Sequence, residues 1–234
     1  VQTVGVVGNN LTITNVAKGE KNEIKVNKNL KAKGDITITN EEAAINVGQG
    51  ASMSGASVTI TATADDVVVA GGTITANSGN INLTADNAVT MNNGAISATA
   101  GSVNMNASNN VTMNNGNITA NAVKVTAPEM LVNGGTIKAT KVEASQNMAV
   151  AGGTINATTV QANNAMTLAG GIVNAANVIA TGAMDITGST VNTGTGEGLI
   201  KAASINMTAG QVNGNVLNVN ATGDFTQSGG SIIA

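Results

Sequence analysis

Several residue types that usually carry chemistry are missing from this sequence of 234 residues. It contains no His, Cys, Trp or Tyr, its ten basic residues are all Lys, and Phe225 is its single aromatic residue. General acid–base catalysis most often uses His, and structural zinc sites use Cys or His. The composition therefore argues against an enzyme, including one that cleaves glycans, and we predict a protein that uses no cofactor.

Charge and long apolar runs are also scarce. Charged residues make up 10% of the chain, and the net charge of −3 leaves no basic face for nucleic acid. The longest aliphatic runs, such as VVVA at 67–70, are too short to cross a bilayer. We therefore expect no nucleic-acid partner and no membrane span, and we find no signal-peptide pattern.

An eighteen-residue phrase occurs three times in succession, as GGTIKATKVEASQNMAVA, GGTINATTVQANNAMTLA and GGIVNAANVIATGAMDIT over residues 134–187. Apolar residues in each copy come in pairs two positions apart. In the first copy these pairs are Ile137 with Ala139, Val142 with Ala144, and Met148 with Val150. A spacing of two places both side chains on one side of a strand. The repeat thus predicts three short strands, each sending one large and one small residue inward, separated by Gly, Asn, Ser and Thr turns.

Stacked copies of this unit can bury a row of apolar side chains that one copy cannot. The first predicted column is Leu30, Met53, Ile74, Ile96, Ile118, Ile137, Ile155, Val173, Val191, Val212 and Ile232. The second is Leu11, Ile36, Val58, Ile81, Val103, Val123, Val142, Val160, Val178, Ile200 and Leu217. The third is Ile24, Ile45, Val67, Val89, Val111, Met130, Met148, Met166, Met184, Ile205 and Phe225.

These columns predict an all-β fold, a three-faced parallel β-solenoid of about eleven coils of 18–23 residues. Left-handed hexapeptide solenoids also have eighteen-residue coils, but their inward spacing fits this sequence poorly. We favour a right-handed coil, which agrees with the handedness of parallel crossovers.

The whole chain, 1–234, is predicted to form a single solenoid domain. Residues 1–47 form charged N-terminal coils with an insertion at 14–23, and residues 48–234 form regular coils. The charged segment is either a solvated face or a contact surface for a neighbouring subunit. Neither end of the sequence suggests a capping helix, so either the sequence is a piece of a longer solenoid or its end strands pair with other copies. The candidate assembly ends are Val4, Val6, Ile232 and Ile233.

Few side chains are candidates for a binding site. Asp65, Asp66 and Asp86 could contribute oxygen ligands to Ca²⁺, although they more simply read as solvated turn acids. Paired Thr residues at 11–14, 36–39 and 58–61 are typical of ice-binding solenoids, but ordinary strand propensity also explains them. Asn-rich turns such as TMNNG predict hydrogen-bonded Asn stacks.

The phrase GGTIxAxxVxAxxxMxV resembles the passenger repeats of filamentous-haemagglutinin-type exoproteins and autotransporter adhesins, from about residue 50 onward. This resemblance implies a right-handed β-helix that is secreted or exposed on the cell surface and forms a stalk or fibre. The N-terminal secretion-domain motifs of that family are not found.

We expect from these observations a non-enzymatic structural protein of the cell surface. It would form a homo-polymer by stacking solenoid ends into an extracellular filament, sheath or matrix. The alternative is a shaft segment of a secreted adhesin that binds a host, surface or glycan ligand.

Overall fold

The structure, a computed structural model, describes residues 6–16, 19 and 22–234. Every regular element in these residues is a β-strand, because apolar and polar residues alternate over short stretches with turn residues between them. The strands are β1 (Val6–Val7), β2 (Leu11–Asn15), β3 (Ile24–Val26), β4 (Leu30–Ala32), β5 (Ile36–Asn40), β6 (Ile45–Val47), β7 (Ser52–Gly55), β8 (Val58–Ala62), β9 (Val67–Ala70), β10 (Thr73–Ala76), β11 (Ile81–Ala85), β12 (Ala88–Asn92), β13 (Gly94–Ala107), β14 (Asn110–Met113), β15 (Gly116–Thr126), β16 (Glu129–Val132), β17 (Thr136–Lys138), β18 (Lys141–Ala144), β19 (Asn147–Val150), β20 (Thr154–Ala162), β21 (Met166–Leu168), β22 (Ile172–Ala180), β23 (Ala183–Ile186), β24 (Thr190–Asn192), β25 (Glu197–Ala202), β26 (Ser204–Met207), β27 (Gln211–Asn213), β28 (Val216–Ala221), β29 (Phe225–Gln227) and β30 (Ser231–Ile233).

Strands one coil apart pair in parallel, so the chain forms a β-solenoid of about ten turns with three ladders. Ladder one contains β1, β4, β7, β10, β13, β15, β17, β20, β22, β24, β27 and β30. Ladder two contains β2, β5, β8, β11, β13, β15, β18, β20, β22, β25 and β28. Ladder three contains β3, β6, β9, β12, β14, β16, β19, β21, β23, β26 and β29. Four strands, β13, β15, β20 and β22, are long enough to run through ladders one and two without a break.

The predicted columns are confirmed rung by rung in ladders one and three. Ile137, for example, pairs with Ile155, which pairs with Val173, and all three side chains are fully buried. Met130 through Met184 stack in the same way in ladder three. Matching side chains placed one strand spacing apart thus form a continuous apolar core.

The second column is confirmed as far as Ile200, and its last predicted member, Leu217, is wrong. Ile200 pairs with Val219, and Leu217 lies opposite Gly198. The segment VLNV offers two apolar residues at the same spacing, so alternation alone cannot choose between Leu217 and Val219. The pairing is decided by β25, which begins early, at Glu197.

The coils narrow along the molecule. Rungs of column one are 22 residues apart from Ile74 to Ile118 and 18 residues apart from Ile137 to Val191. We call residues 36–127 the wide coils and residues 137–192 the narrow coils.

Ladder two accounts for part of the change in width. In a wide coil it buries three side chains per strand, such as Ile81, Leu83 and Ala85, whereas in a narrow coil it buries only two, such as Val160 and Ala162. The rest of the change lies at the corner between ladders one and two, where Ala98 and Ser102, four positions apart, pair with Ala120 and Ala122, two positions apart.

The prediction of one large and one small inward residue per strand holds for ladder one, as in Ile74 with Ala76, and for ladder two of the narrow coils. It is wrong for ladder two of the wide coils and for ladder three, which buries two large residues per strand, such as Met148 and Val150.

Paired glycines turn the corner before ladder one in the narrow coils. Gly135, Gly153 and Gly171 have φ angles of 80°, 73° and 73°, which L side chains rarely adopt. A Cβ atom on Gly153 would also lie 2.7 Å from the carbonyl oxygen of Gly135 in the coil below. The repeated GG of the sequence thus meets both a conformational and a steric requirement.

Candidate functional site

One edge of the last coil is hydrogen-bonded to the preceding coil, and the other edge, which we call the open edge, has no strand beside it among the described residues. Strands β28, β29 and β30 pair with β25, β26 and β27 of the preceding coil, and the described residues contain no strand on their other side. Three large apolar side chains of this coil are exposed: Val216 (51%), Phe225 (45%) and Ile233 (50%). Val216 and Ile233 lie on the outer side of their strands, opposite Glu197 and Asn213. Phe225 nevertheless occupies its predicted place in column three, opposite Ile205. This open edge is the candidate functional site.

The predicted assembly ends differ in their placement. Ile232 lies opposite Val212 and continues column one, whereas Ile233 lies opposite Asn213, on the outer side of the strand. At the other end, Val6 pairs with the exposed Lys31. Val4 lies outside the described residues.

The first coils form the opposite edge of the solenoid. Leu11 and Ile13 in β2 are only partly buried, although they pack against the core. Ile24 in β3 is 8% exposed. These residues are the first described members of columns two and three, so apolar side chains line both edges of the rod.

One fully buried polar side chain, that of Asn40, holds the N-terminal coils together by hydrogen bonds. Its amide group donates to the carbonyl oxygens of Asn22 and Ala44, both at 3.0 Å, and its Oδ1 atom accepts from Asn15 Nδ2 at 3.0 Å. Asn15 and Asn22 lie at the two ends of the predicted insertion at 14–23, of which residues 17, 18, 20 and 21 fall outside the described residues. No pattern in the sequence predicts these hydrogen bonds of Asn40, which stands at the end of the strand ITITN.

Asn side chains stack along the outer surface. The stacks predicted at the TMNNG turns are confirmed, since Asn114 donates to Asn92 and Asn115 to Asn93, both at 2.8 Å.

A second stack, which was not predicted, runs along the strands of ladder one, where each Asn donates through Nδ2 to the Oδ1 atom of the Asn one rung below. The four members are Asn156, Asn174, Asn192 and Asn213, joined at 2.7, 2.8 and 2.9 Å. Because every amide points the same way, the stack ties successive coils together and gives the outer wall a defined polarity.

The three candidate calcium ligands lie on turns and form no common cage. Asp66 Oδ1 accepts from Asn87 Nδ2 at 2.7 Å and from the backbone N–H of Ala88 at 3.0 Å, whereas Asp65 Oδ1 accepts from the N–H of Asp66. Asp86 lies one coil along, where its N–H donates to the carbonyl of Ala62. Among the residues with described positions, no group of three or more acidic, His or Cys side chains could hold a metal ion.

One ion pair on the outer wall lowers the pKa of a carboxyl group. Lys141 Nζ lies 2.9 Å from Glu143 Oε2, and this hydrogen bond is the main reason that the pKa of the Glu143 carboxyl is lowered from 4.5. Partial burial opposes the lowering, and a hydrogen bond from Asn163 and the charges of Lys141 and Lys124 add to it. Lys141 and Glu143 both lie in β18, and the hydrogen bond that Asn163 Nδ2 donates to Glu143 Oε1, at 3.2 Å, links this strand to the next coil.

Concave surfaces are few and shallow. An open groove of about 550 Å³ runs along the wall where the wide coils meet the narrow ones, between Thr119 and Thr158, and its polar lining includes Lys138 and Asn156. Inside the rod at the same level lies an apolar cavity of about 10 Å³, lined by side chains such as Leu83 and Met105. The groove has neither an aromatic ring nor an acidic side chain in its lining.

No helix with the length and apolarity needed to cross a bilayer occurs in the described ranges. Comparison of the chain with protein-family models, with curated protein sequences and with solved structures gives no match.

Proposed function

We propose that this is a non-enzymatic structural protein that stacks end to end into an extracellular filament, sheath or matrix. The observation that carries the proposal is the open edge formed by β28, β29 and β30, with Phe225 at the end of an apolar column. A row of strand N–H and C=O groups is a template for further strands. A second copy that adds its first coil there would bury Phe225 and extend the ladders.

Head-to-tail contacts of this kind join two different surfaces of the same molecule, and they produce open filaments when the rotation does not close a ring. The two edges of this rod are suited to such a contact, because both end in apolar members of the same columns. The extracellular setting rests on the resemblance of the repeats to filamentous-haemagglutinin-type and autotransporter passenger domains, which also implies a right-handed coil.

Sedimentation velocity and negative-stain microscopy of the purified chain test the proposal. We expect rods that lengthen as the protein concentration rises. The variant Phe225→Asp places a charge in the junction and should leave short rods. Ile172→Asp is the matched control, because Ile172 is similarly exposed (40%) but lies on the side wall in the middle of the molecule.

Rods of one length at every concentration would contradict the proposal. Polymers that survive Phe225→Asp but are lost in Ile172→Asp would show lateral association instead of end stacking.

The second candidate is the shaft of a secreted adhesin, and the open groove near Lys138 and Asn156 is the feature that favours it. A ligand with hydroxyl groups would fit a groove whose lining is rich in Thr. Binding of the chain to a glycan array, abolished by Lys138→Ala and retained by Phe225→Asp, would support this candidate over the first.

A further inference from the structure

The Asn stack of ladder one ends at the open groove near Lys138. Its first member, Asn156, accepts through Oδ1 from Asn174 Nδ2 at 2.7 Å, so its own Nδ2 group faces the coil below. The strand partner in that coil is Lys138, whose side chain carries donors and no acceptor. The Nδ2 group of Asn156 therefore donates to no residue that the structure describes. The stack has a free donor end, and Asn156 and Lys138 both line the groove.

Elsewhere on the outer surface a carboxylate accepts from such a donor. Asn109 donates to Asn87, and Asn87 donates to Asp66 Oδ1 at 2.7 Å. In the same way, Asn206 donates to Asp185 Oδ1 at 3.2 Å. Each carboxylate takes the place that the amide oxygen of an Asn has inside a stack, because Asp and Asn hold an oxygen acceptor at the same distance from the strand. A carboxylate is thus a group that can complete a donor end in this molecule.

Lys138 places a positive charge beside the free donor end. In the described part of the chain its ammonium group forms no ion pair, whereas that of Lys141 lies 2.9 Å from Glu143 Oε2. The stacked amides also share one orientation, with their donor ends toward Lys138, so their dipoles add as peptide dipoles add along a helix. Both features favour a negatively charged oxygen between Asn156 and Lys138.

The shape of the wall leaves room for a ligand at this point. Four positions separate Ala98 from Ser102 at the corner between ladders one and two, and only two separate their partners in the next coil, Ala120 and Ala122. The corner therefore recedes at Ala120, which lines the groove of about 550 Å³. This volume lies within the range of about 300–1,000 Å³ that is typical of small-molecule sites. Hydroxyl groups in the lining come from Thr99, Thr119, Thr140 and Thr158.

We propose that this groove binds a glycan that carries carboxylate groups, such as a chain of uronic acids. One oxygen of a carboxylate accepts from Asn156 Nδ2 and the other accepts from Lys138 Nζ, while the Thr hydroxyl groups bond to hydroxyl groups of the sugar. The inference rests on the second candidate function, the adhesin shaft, for which it names the ligand class. It does not depend on end stacking.

A stack at the TMNNG turns provides an internal comparison. Asn92 accepts from Asn114 Nδ2 at 2.8 Å, and its own Nδ2 group faces Ala70 in the coil below, without an acceptor among the described residues. The shallow groove at that point has no charged side chain in its lining. We therefore expect a carboxylate to bind at Asn156 and not at Asn92.

Isothermal titration calorimetry of the full chain tests the proposal. The probes are short oligomers of galacturonic, glucuronic and mannuronic acid, and each is matched by the same oligomer with its carboxyl groups methyl-esterified. Esterification keeps the sugar hydroxyl groups and removes the negative charges. We expect at least one acid to bind about tenfold more tightly than its ester, because hydrogen bonds to a charged group are the stronger ones.

Two pairs of variants locate the site. Lys138→Gln should weaken binding of that acid about tenfold, and its control is Lys201→Gln, which makes the same charge change at an exposed Lys outside the groove. Asn156→Asp keeps an oxygen for Asn174 but replaces the Nδ2 donor by a charged oxygen, so it should abolish binding. Asn92→Asp makes the same change at the other stack. We expect both controls to bind as the wild type does.

A further variant, Lys138→Asp, supplies the carboxylate from the chain itself, as Asp66 does for Asn87. We expect it to lose binding of the acid and to unfold at a higher denaturant concentration than Lys138→Ala. Equal or lower stability of Lys138→Asp would mean that the donor end of Asn156 does not take a carboxylate, which would overturn the proposal.

The remaining outcomes separate this inference from the candidate function on which it rests. Equal affinity for acid and ester, or binding that survives both Lys138→Gln and Asn156→Asp, would overturn the carboxylate site and leave the adhesin candidate intact. A chain that binds other glycans of an array but none of these acids would do the same. A chain that binds no glycan at all would overturn both.

Discussion

The wide and narrow coils are built from the same three ladders but with different cores. In the wide coils the second inward position of ladder two holds a large residue, Leu83 or Met105, and in the narrow coils it holds Ala144 or Ala162. Column one runs through both regions without a change of register. Width is therefore set in ladder two and in the corner that precedes it, where two positions are lost between the pairs Ala98–Ala120 and Ser102–Ala122, while the other columns hold the coils in line.

A small cavity lies inside the rod next to the change of width. The cavity, of about 10 Å³, is lined by Leu83 and Met105 of ladder two, and one coil further on the inward column passes from Met105 to Val125. Interiors pack at the density of organic crystals, so a step in side-chain volume leaves unfilled space unless the backbone closes in. The wide coils next to the step should consequently be more sensitive to loss of volume, and the narrow coils to gain of volume.

The largest expected effect is that of Leu83→Ala in the wide coils. Truncating a buried Leu costs about 2–5 kcal/mol, and the space left here adjoins the existing cavity, so we expect the upper part of that range. Guanidinium unfolding followed by circular dichroism measures it. The control is Leu168→Ala, a fully buried Leu in a narrow coil that is not part of the cavity lining; an equal or larger cost for Leu168→Ala would contradict the comparison.

The reverse change, Ala162→Leu, tests the narrow coils. Ala162 is fully buried and pairs with Ala144 and Ala180, so the added side chain has no space unless the coil widens. We expect a loss of about 1–3 kcal/mol from overpacking. The volume-conserving Leu83→Met in a wide coil serves as control and should cost less than about 1.5 kcal/mol. If Ala162→Leu unfolded at the wild-type denaturant concentration, ladder two would not set the width.

Smaller effects are expected from the outer Asn stack of the narrow coils. Asn174→Ala removes two hydrogen bonds, to Asn156 and from Asn192, and should cost about 1–2 kcal/mol. Asn213→Ala removes one side-chain bond of the stack and should cost about half as much. The unfolding midpoints of both variants give the comparison. Equal losses of stability would mean that the hydrogen bonds of the stack are not the cause of the loss.

The smallest effect concerns Glu143. Because the folded state lowers the pKa of this carboxyl from 4.5, its contribution to stability is present above that pH and is lost as the pH falls through the lowered value. We expect the stability difference between the wild type and Glu143→Gln to vanish on acidification from about pH 6 to pH 3. The effect is small, since the pair lies at the surface. Lys141→Gln should remove most of the same difference; if it does not, Lys141 is not the cause.

The sequence was sufficient to predict the columns of stacked apolar residues, but not to predict which side chains set the width of the coils. Pairs such as Ile137 with Ala139, recurring every eighteen residues, predict both the strand and its partner, because a slip by one residue would turn the apolar face outward. Column two failed at Leu217, where two apolar residues share that alternation. The burial of Leu83 could not be foreseen, since an apolar residue two positions beyond Ile81 fits a longer strand and a turn equally well.

The candidate site was predicted in outline. The Asn stacks at the TMNNG turns followed from repeated Asn at equal spacing, and Ile232 followed from its column. The pairing of β1 with β4 was not predicted. It depends on how the first coil packs on the second and not on the residue pattern of a two-residue strand. The buried Asn40 was missed because a polar residue at a strand end normally indicates an exposed turn.

Cryo-electron microscopy of the assembled protein tests most directly whether the columns continue from one copy to the next. The account predicts unbroken strand density through each junction, at the spacing of about 4.8 Å expected between neighbouring strands. A filament with a gap in the strand density between copies would contradict the account, as would isolated rods that never join.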